Sequence, residues 1–290
     1  MKFFTTIEPG TCKFSIDFGS RVTILGSCFA DNIGTKMLRA GFNVCLNPFG
    51  TLYNPVSISD AVRRLDEHTP FQEKDCIQMG AGSDLICSFH HHTSFARPTA
   101  GMFLENANAR LEEASEFWKS SDIVIISLGT IYCYKRNGHA VANCLKRDAR
   151  EFTREPLSLE ETSSILSGIV RKFPEKKFIF TVSPIRHLAD GAHANQISKA
   201  TLLLGVNSVP EAEYFPAYEI LLDELRDYRF YAEDLTHPSS PAVDYIWEKF
   251  VDFAVSDSCR ERIKVNEKAW RASQHRPIGY VQDAGGQGQP

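Results

Sequence analysis

The chain has no long hydrophobic run, no paired-cysteine motif, no phosphate-binding glycine loop and no surplus of positive charge. Each absence removes a class of function. No apolar stretch among its 290 residues approaches the ~18–20 needed to span a bilayer, which argues against a membrane protein. The opening residues, Met1 to Gly10, lack the apolar core of a secretory leader, and the reading is a cytoplasmic protein. None of the eight cysteines forms a C-x-x-C pair, so no structural metal is expected. Cys45, Cys87 and Cys133 lie in apolar runs and read as free thiols packed as small hydrophobes. There is no GxxxxGK[ST] loop and no G-x-G-x-x-G after the first strand. Nucleotide hydrolysis and dinucleotide redox chemistry are therefore disfavoured, and no cofactor is expected. Lys and Arg number 32 against 36 Asp and Glu, a formal charge of −4, which argues against a nucleic-acid partner.

What is present is ordinary for a globular protein: 43% hydrophobic and 23% charged residues. The strongest strand readings are Arg21–Leu25, Phe42–Leu46, Asp122–Leu128 and Lys177–Val182; Arg229–Ala232 is read as the last strand. The continuous apolar run Asp122–Leu128 is typical of a strand buried on both faces of a parallel sheet. Helical spacing covers Asp31–Ala40, Met102–Lys119, Leu159–Lys172, Ala194–Leu204, Tyr218–Leu225 and, as one helix or two, Ala242–Ala272. A further helix follows Pro55, with Ser57 or Ser59 as its cap. Asn137-Gly138 predicts a hairpin between Tyr132–Tyr134 and Ala140–Ala142. Strand and helix alternate, which predicts an α/β fold with a mostly parallel sheet between helical layers. Residues 1–272 read as a single domain and 273–290, rich in Gly and Gln, as a flexible tail.

Chemistry concentrates in two places. Gly26-Ser27-Cys28-Phe29-Ala30 links the first strand to the first helix, where backbone N–H groups favour negative charge. A thiol there is expected to have a depressed pKa. Far along the chain stands Asp234-Leu235-Thr236-His237. Its spacing lets the Asp234 carboxylate hold one ring nitrogen of His237, leaving the other as a general base. A rival D-x-x-H, Asp190-Gly191-Ala192-His193, lies in a polar segment that reads as a solvated loop.

These residues carry a resemblance. Gly26 to Ala30 with Asn32-Ile33-Gly34, Asn47-Pro48-Phe49-Gly50-Thr51, Leu128-Gly129-Thr130, Ala142-Asn143-Cys144, Ser183 to His187 and Asp234-x-x-His237 together resemble the GSCFA family, a branch of the SGNH (GDSL-like) hydrolase superfamily. The resemblance implies a flavodoxin-like three-layer α/β/α fold and ester hydrolysis or acyl transfer, with carbohydrate O-acyl groups as a common substrate class. The superfamily's first block reads Gly-Asp-Ser. Laid on without a gap, it makes Cys28 the nucleophile; shifted by one residue, Ser27. His237 is the implied base and Asp234 its orienter. Gly50 matches the second block's oxyanion donor. The third block, Gly-x-Asn-Asp, is not matched: Gly129-Thr130-Ile131-Tyr132 lacks the Asn, and Thr130 or Asn143 is the candidate replacement.

His90, Arg186 and His187 are candidate substrate-binding residues. Consecutive strand side chains alternate faces, so His90-His91-His92 cannot all face one metal ion. The expected partner is a small-molecule or glycan ester. The runner-up function is a non-catalytic binding protein on the same fold, favoured by the missing Asn.

Overall fold

The apolar runs become the centre of the molecule. The computed structural model describes residues 5–274. In chain order the elements are β1 (Arg21–Gly26), α1 (Cys28–Ala40), β2 (Asn43–Leu46), α2 (Pro55–Glu67), β3 (Ile77–Gln78), β4 (Ile86–Cys87), α3 (Ala100–Lys119) and β5 (Ile123–Leu128). There follow β6 (Tyr132–Arg136), β7 (His139–Val141), β8 (Thr153–Pro156), α4 (Leu159–Lys172), β9 (Lys177–Val182), α5 (Ala192–Asn207), β10 (Glu213–Tyr214), α6 (Ala217–Glu219), α7 (Ser240–Ala254) and α8 (Arg260–Gln274).

The central sheet has five strands in the order β10-β9-β5-β1-β2, all parallel. Numbered among themselves they run 2-1-3-4-5, the flavodoxin-like order, with its topological switch between β1 and β5. Every residue of β5 is buried. Its side chains alternate between layers, as a strand's must. Ile123 and Ile125 join Val22, Ile24 and Ile179 under α1, α7 and α8. Val124, Ile126 and Leu128 join Leu25, Phe178 and Phe180 under α2, α3, α4 and α5. The result is the three-layer α/β/α architecture expected.

Among the described residues two lysines are buried, Lys176 and Lys199. Lys199 of α5 is 1% exposed, and its Nζ donates to Gly129 O and Ser183 O, each at 2.7 Å. It ties together the chain just beyond β5 and β9, and burial pulls its pKa down to about 7.

Several expectations are corrected. The cap of α2 is Asn54, not Ser57 or Ser59: Ser57 N–H donates to Asn54 Oδ1 at 2.9 Å. The residue before Pro55 is held extended, which suits a capping position. Arg229–Ala232 is not a strand. Tyr228–Phe230 form one tight turn, and only Tyr231 pairs, in a single antiparallel bridge to Pro238. The fifth strand is instead Glu213–Tyr214, two residues too short to show a periodicity. The expected hairpin forms as β6 and β7, and β8 adds to it as a strand the sequence pattern did not show. Its residues, Thr-Arg-Glu-Pro, are all exposed and lack apolar alternation. The final helix is two, α7 and α8. Of the expected tail, residues 273–290, the first two close α8 and the rest lie outside the described residues. No helix among the described residues is long and apolar enough to cross a membrane.

Candidate active site

The β1–α1 turn is built by packing against β5. Gly26 has φ +140°, and a Cβ there would lie 2.2 Å from Ser127 O, so only glycine fits. Its N–H donates to Asn47 Oδ1 at 2.8 Å, while Asn47 Nδ2 donates to Asp31 Oδ1 at 2.7 Å. One side chain thus stitches β1, the loop after β2 and the first turn of α1. Ser27 is fully buried as the N-cap of α1. Phe29 N–H donates to its Oγ at 3.3 Å, and its hydroxyl pairs with that of Ser127 at 3.0 Å. Ser27 is not among the described residues that line the cavity Cys28 borders; it holds the helix to the sheet.

Cys28 is the first residue of α1 and is half-buried. Its Sγ lies 3.5 Å from Tyr53 Oη, which in turn lies 3.1 Å from Thr51 Oγ1. The expected depression of its pKa is not found. Burial pushes the thiol up, and the Asp31 carboxylate adds to the rise; Tyr53, the residue's own N–H and Thr51 only partly oppose them. The free helix end is outweighed because the sulfur is desolvated and an acid occupies the same turn. Burial and the neighbouring thiol likewise raise the Tyr53 pKa, so its hydroxyl stays protonated and remains a donor.

The Asp234–His237 loop is exposed and locally tied. Asp234 Oδ1 accepts from the backbone N–H of Thr236 and His237, both at 2.9 Å, and Oδ2 pairs with His237 Nδ1 at 2.5 Å. These bonds hold the Asp234 carboxyl well below the usual carboxylate range, the backbone bonds foremost. Leu235 takes φ +54° to close the turn. Ala232 N–H donates to His237 O, and Arg186 clamps the loop from β9's end: its N–H donates to Thr236 O and its guanidinium to Leu235 O, each at 3.0 Å. With Nδ1 engaged, Nε2 of His237 is the nitrogen left for chemistry. The rival pair is dispersed: Asp190 binds Arg154 at 2.6 Å, and His193 is exposed on α5.

Cys28, Thr130, Asn143, Arg186, His187 and His237 border one cavity of about 390 Å³ at the C-terminal edge of the sheet. That edge, at the switch between β1 and β5, is where open α/β sheets bind ligands. Two larger hollows, about 630 and 700 Å³, contain neither Cys28 nor His237, so size alone does not single out the site. Among the described residues Cys28 and His237 share the cavity without a hydrogen bond between them.

The other candidates divide. Thr130 is buried: its N–H donates to Tyr53 O at 2.9 Å, its Oγ1 accepts Tyr132 N–H at 3.1 Å, and its hydroxyl pairs with Ser198 at 3.2 Å. Asn143 Oδ1 accepts Leu145 N–H at 2.8 Å, which leaves its amide NH2 to offer to the cavity. Gly50 is not brought there. Its N–H donates to Asn47 O at 2.8 Å, and its φ of +78° beside His92 accounts for the glycine. His90 is also elsewhere, in a crevice with Arg64 and Asp60. His91 is fully buried among Phe71, Phe95 and Phe103, and burial pulls its pKa down to about 3. His92 turns to Ser94, so the three histidines diverge. His187 keeps a buried Nε2 with no partner, edge-on to Tyr53, and its pKa is pulled down to about 3 by burial and then by Lys199.

Sequence reasoning missed Tyr53 and the wall formed by Tyr132, Tyr134 and Arg154. Tyr53 stood two residues beyond the quoted Asn47–Thr51 block. Tyr132 and Tyr134 alternate along β6, so the recognised hairpin carried the signal that they share a face, whereas Arg154 comes from β8. No curated protein matches the chain. The family comparison does: the stretch from residue 21 to 250, which supplies β1, every wall of the cavity and His237, matches the GSCFA family model, and the chain belongs to that family.

Proposed function

We propose that the protein is a thiol-dependent esterase or acyltransferase of SGNH kinship that acts on O-acyl esters, glycan esters among them. The observation that carries this reading is that Cys28 and the Asp234-held His237 border the same cavity. The thiol rests protonated, so a base must act as the bond forms. His237 Nε2 takes the Sγ proton as Sγ adds to the acyl carbonyl. The proton then passes to the leaving alkoxide as the C–O bond breaks, giving an S-acyl enzyme. Water or an acceptor hydroxyl, deprotonated by His237, attacks the thioester and frees Cys28. The Cys28 N–H at the helix start and the Tyr53 hydroxyl are the oxyanion donors. Asn143 supplies a third donor. Ser27, occupied as a cap, is not the nucleophile in this reading.

The test is labelling by iodoacetamide and by a fluorophosphonate in wild type, Ser27→Ala, Cys28→Ala and His237→Ala. Labelling lost in Cys28→Ala and slowed in His237→Ala, with Ser27→Ala still labelled, is the expected pattern. Loss only in Ser27→Ala would move the nucleophile by one residue. No reactive residue, and no effect of His237→Ala, would leave a binding protein.

A further inference from the structure

The cavity's charged lining has one sign. Arg154 and Arg186 border it, and among the described residues no carboxylate does, in a chain with more acids than bases. Asp190 and Asp234 stand behind: the first holds Arg154, the second His237. We propose that the substrate is an ester carrying an anionic group, and that Arg154 of β8, with Arg186 beside it, binds that group. This rests on the acyl-transfer reading for the word ester but not for the anion.

Arg154 is set for the task. Its Nη2 donates to Asp190 at 2.6 Å and its Nη1 to Tyr134 Oη at 3.0 Å. The guanidinium lies 5.3 and 5.0 Å from the ring centres of Tyr132 and Tyr134. A guanidinium has five N–H donors, so two bonds leave three in a fixed planar fork that matches a carboxylate or phosphate. Its side chain is 30% exposed, open enough to be reached and anchored enough to lose little freedom on binding. Asp190, four residues beyond Arg186, ties β8 to the segment that follows β9. Arg186 also spends a donor on Leu235 O, which makes it part of the His237 clamp as well. Arg154 makes no bond to that loop, and it is the position to vary.

Iodoacetate and iodoacetamide differ in charge and little in size. In both, the Sγ–C bond forms as C–I breaks, iodide leaves, and the thiol proton passes to buffer. The expected result is an iodoacetate-to-iodoacetamide rate ratio at Cys28 about tenfold above that of glutathione. It should fall to the glutathione value in Arg154→Met and recover partly in Arg154→Lys, with the iodoacetamide rate itself within about twofold throughout. Arg154→Gln serves if the Met variant does not fold. A wild-type ratio no higher than glutathione's, or one unchanged in both neutral variants, overturns the proposal. Two matched ester pairs then find where the anion sits: monophenyl succinate against phenyl butyrate for the acyl side, and 4-acetoxybenzoate against its methyl ester for the alcohol side. If neither pair is hydrolysed, the acyl-transfer reading falls and the alkylation ratio still decides the anion site. Hydrolysis with no preference for either anionic ester overturns the proposal.

Discussion

The two loops that meet at the cavity are fixed by opposite means. The β1–α1 turn is held from within by Gly26 against Ser127 O, the Ser27–Ser127 pair and the Asn47 stitch. The Asp234–His237 loop is held on the surface by its own carboxylate and by Arg186, with the Asp234 and His237 side chains 49% and 42% exposed. The proposed nucleophile therefore depends on the fold, and the proposed base on a few local bonds. Substitutions in the first loop should act mainly on stability, and those in the second mainly on rate.

The sharpest way to break this contrast is Gly26→Ala. A methyl group 2.2 Å from a strand carbonyl cannot be accommodated, and the expected loss is about 4 kcal/mol or more, read as insoluble or unfolded protein. A soluble variant with a normal melting curve would mean the turn is looser than described. Asp234→Asn comes next: kcat/KM for ester should fall by about 10²–10⁴ through loss of ring orientation, with the melting temperature nearly unchanged. A large drop in melting temperature would show the second loop to be structural too. Ser27→Ala should cost about 2 kcal/mol in chemical denaturation, from a lost cap and an orphaned Ser127 hydroxyl, while turnover per folded molecule is kept.

A further test concerns acid. His91 is neutral when folded, with a pKa near 3 against an ordinary 6.5. Above pH 6.5 both folded and unfolded states hold it neutral, so its burial has no protonation cost. Below that, only the unfolded state takes the proton, and stability is lost progressively from pH 6.5 toward 3, by about 1.4 kcal/mol per pH unit. His91 Nδ1 pairs with Ser88 Oγ at 2.7 Å, so urea midpoints at pH 7 and 5 should show a shallower decline for His91→Phe combined with Ser88→Ala, which removes both partners. An unchanged slope would remove His91 from the account.

The sheet was legible because β1, β5 and β9 are buried on both faces and spell it in Val, Ile, Leu and Phe. The Asn137-Gly138 turn was legible because left-handed pairs favour those residues, here with φ +50° and +77°. The Asp234–His237 contact was legible because three-residue spacing on a turn brings side chains together. Glu213–Tyr214 was not, being too short for a pattern. The Cys28 thiol was misjudged because its pKa depends on burial and on Asp31, which only the folded chain brings to bear. Tyr53 and Arg154 were missed because their place at the cavity depends on long-range assembly.

The small antiparallel sheet has a consequence for how such a protein changes over time. Tyr132, Tyr134, Asn143 and Arg154 all arise from one excursion between β5 and α4, whereas Cys28, Tyr53 and His237 come from three other loops. On the proposed reading, Arg154 and the reacting Cys28 and His237 thus lie in separate stretches of the chain. On that same reading, rewriting Tyr132, Tyr134 and Arg154 while keeping Asn143 is a route to a new substrate preference that leaves Cys28, Tyr53 and His237 in their seats.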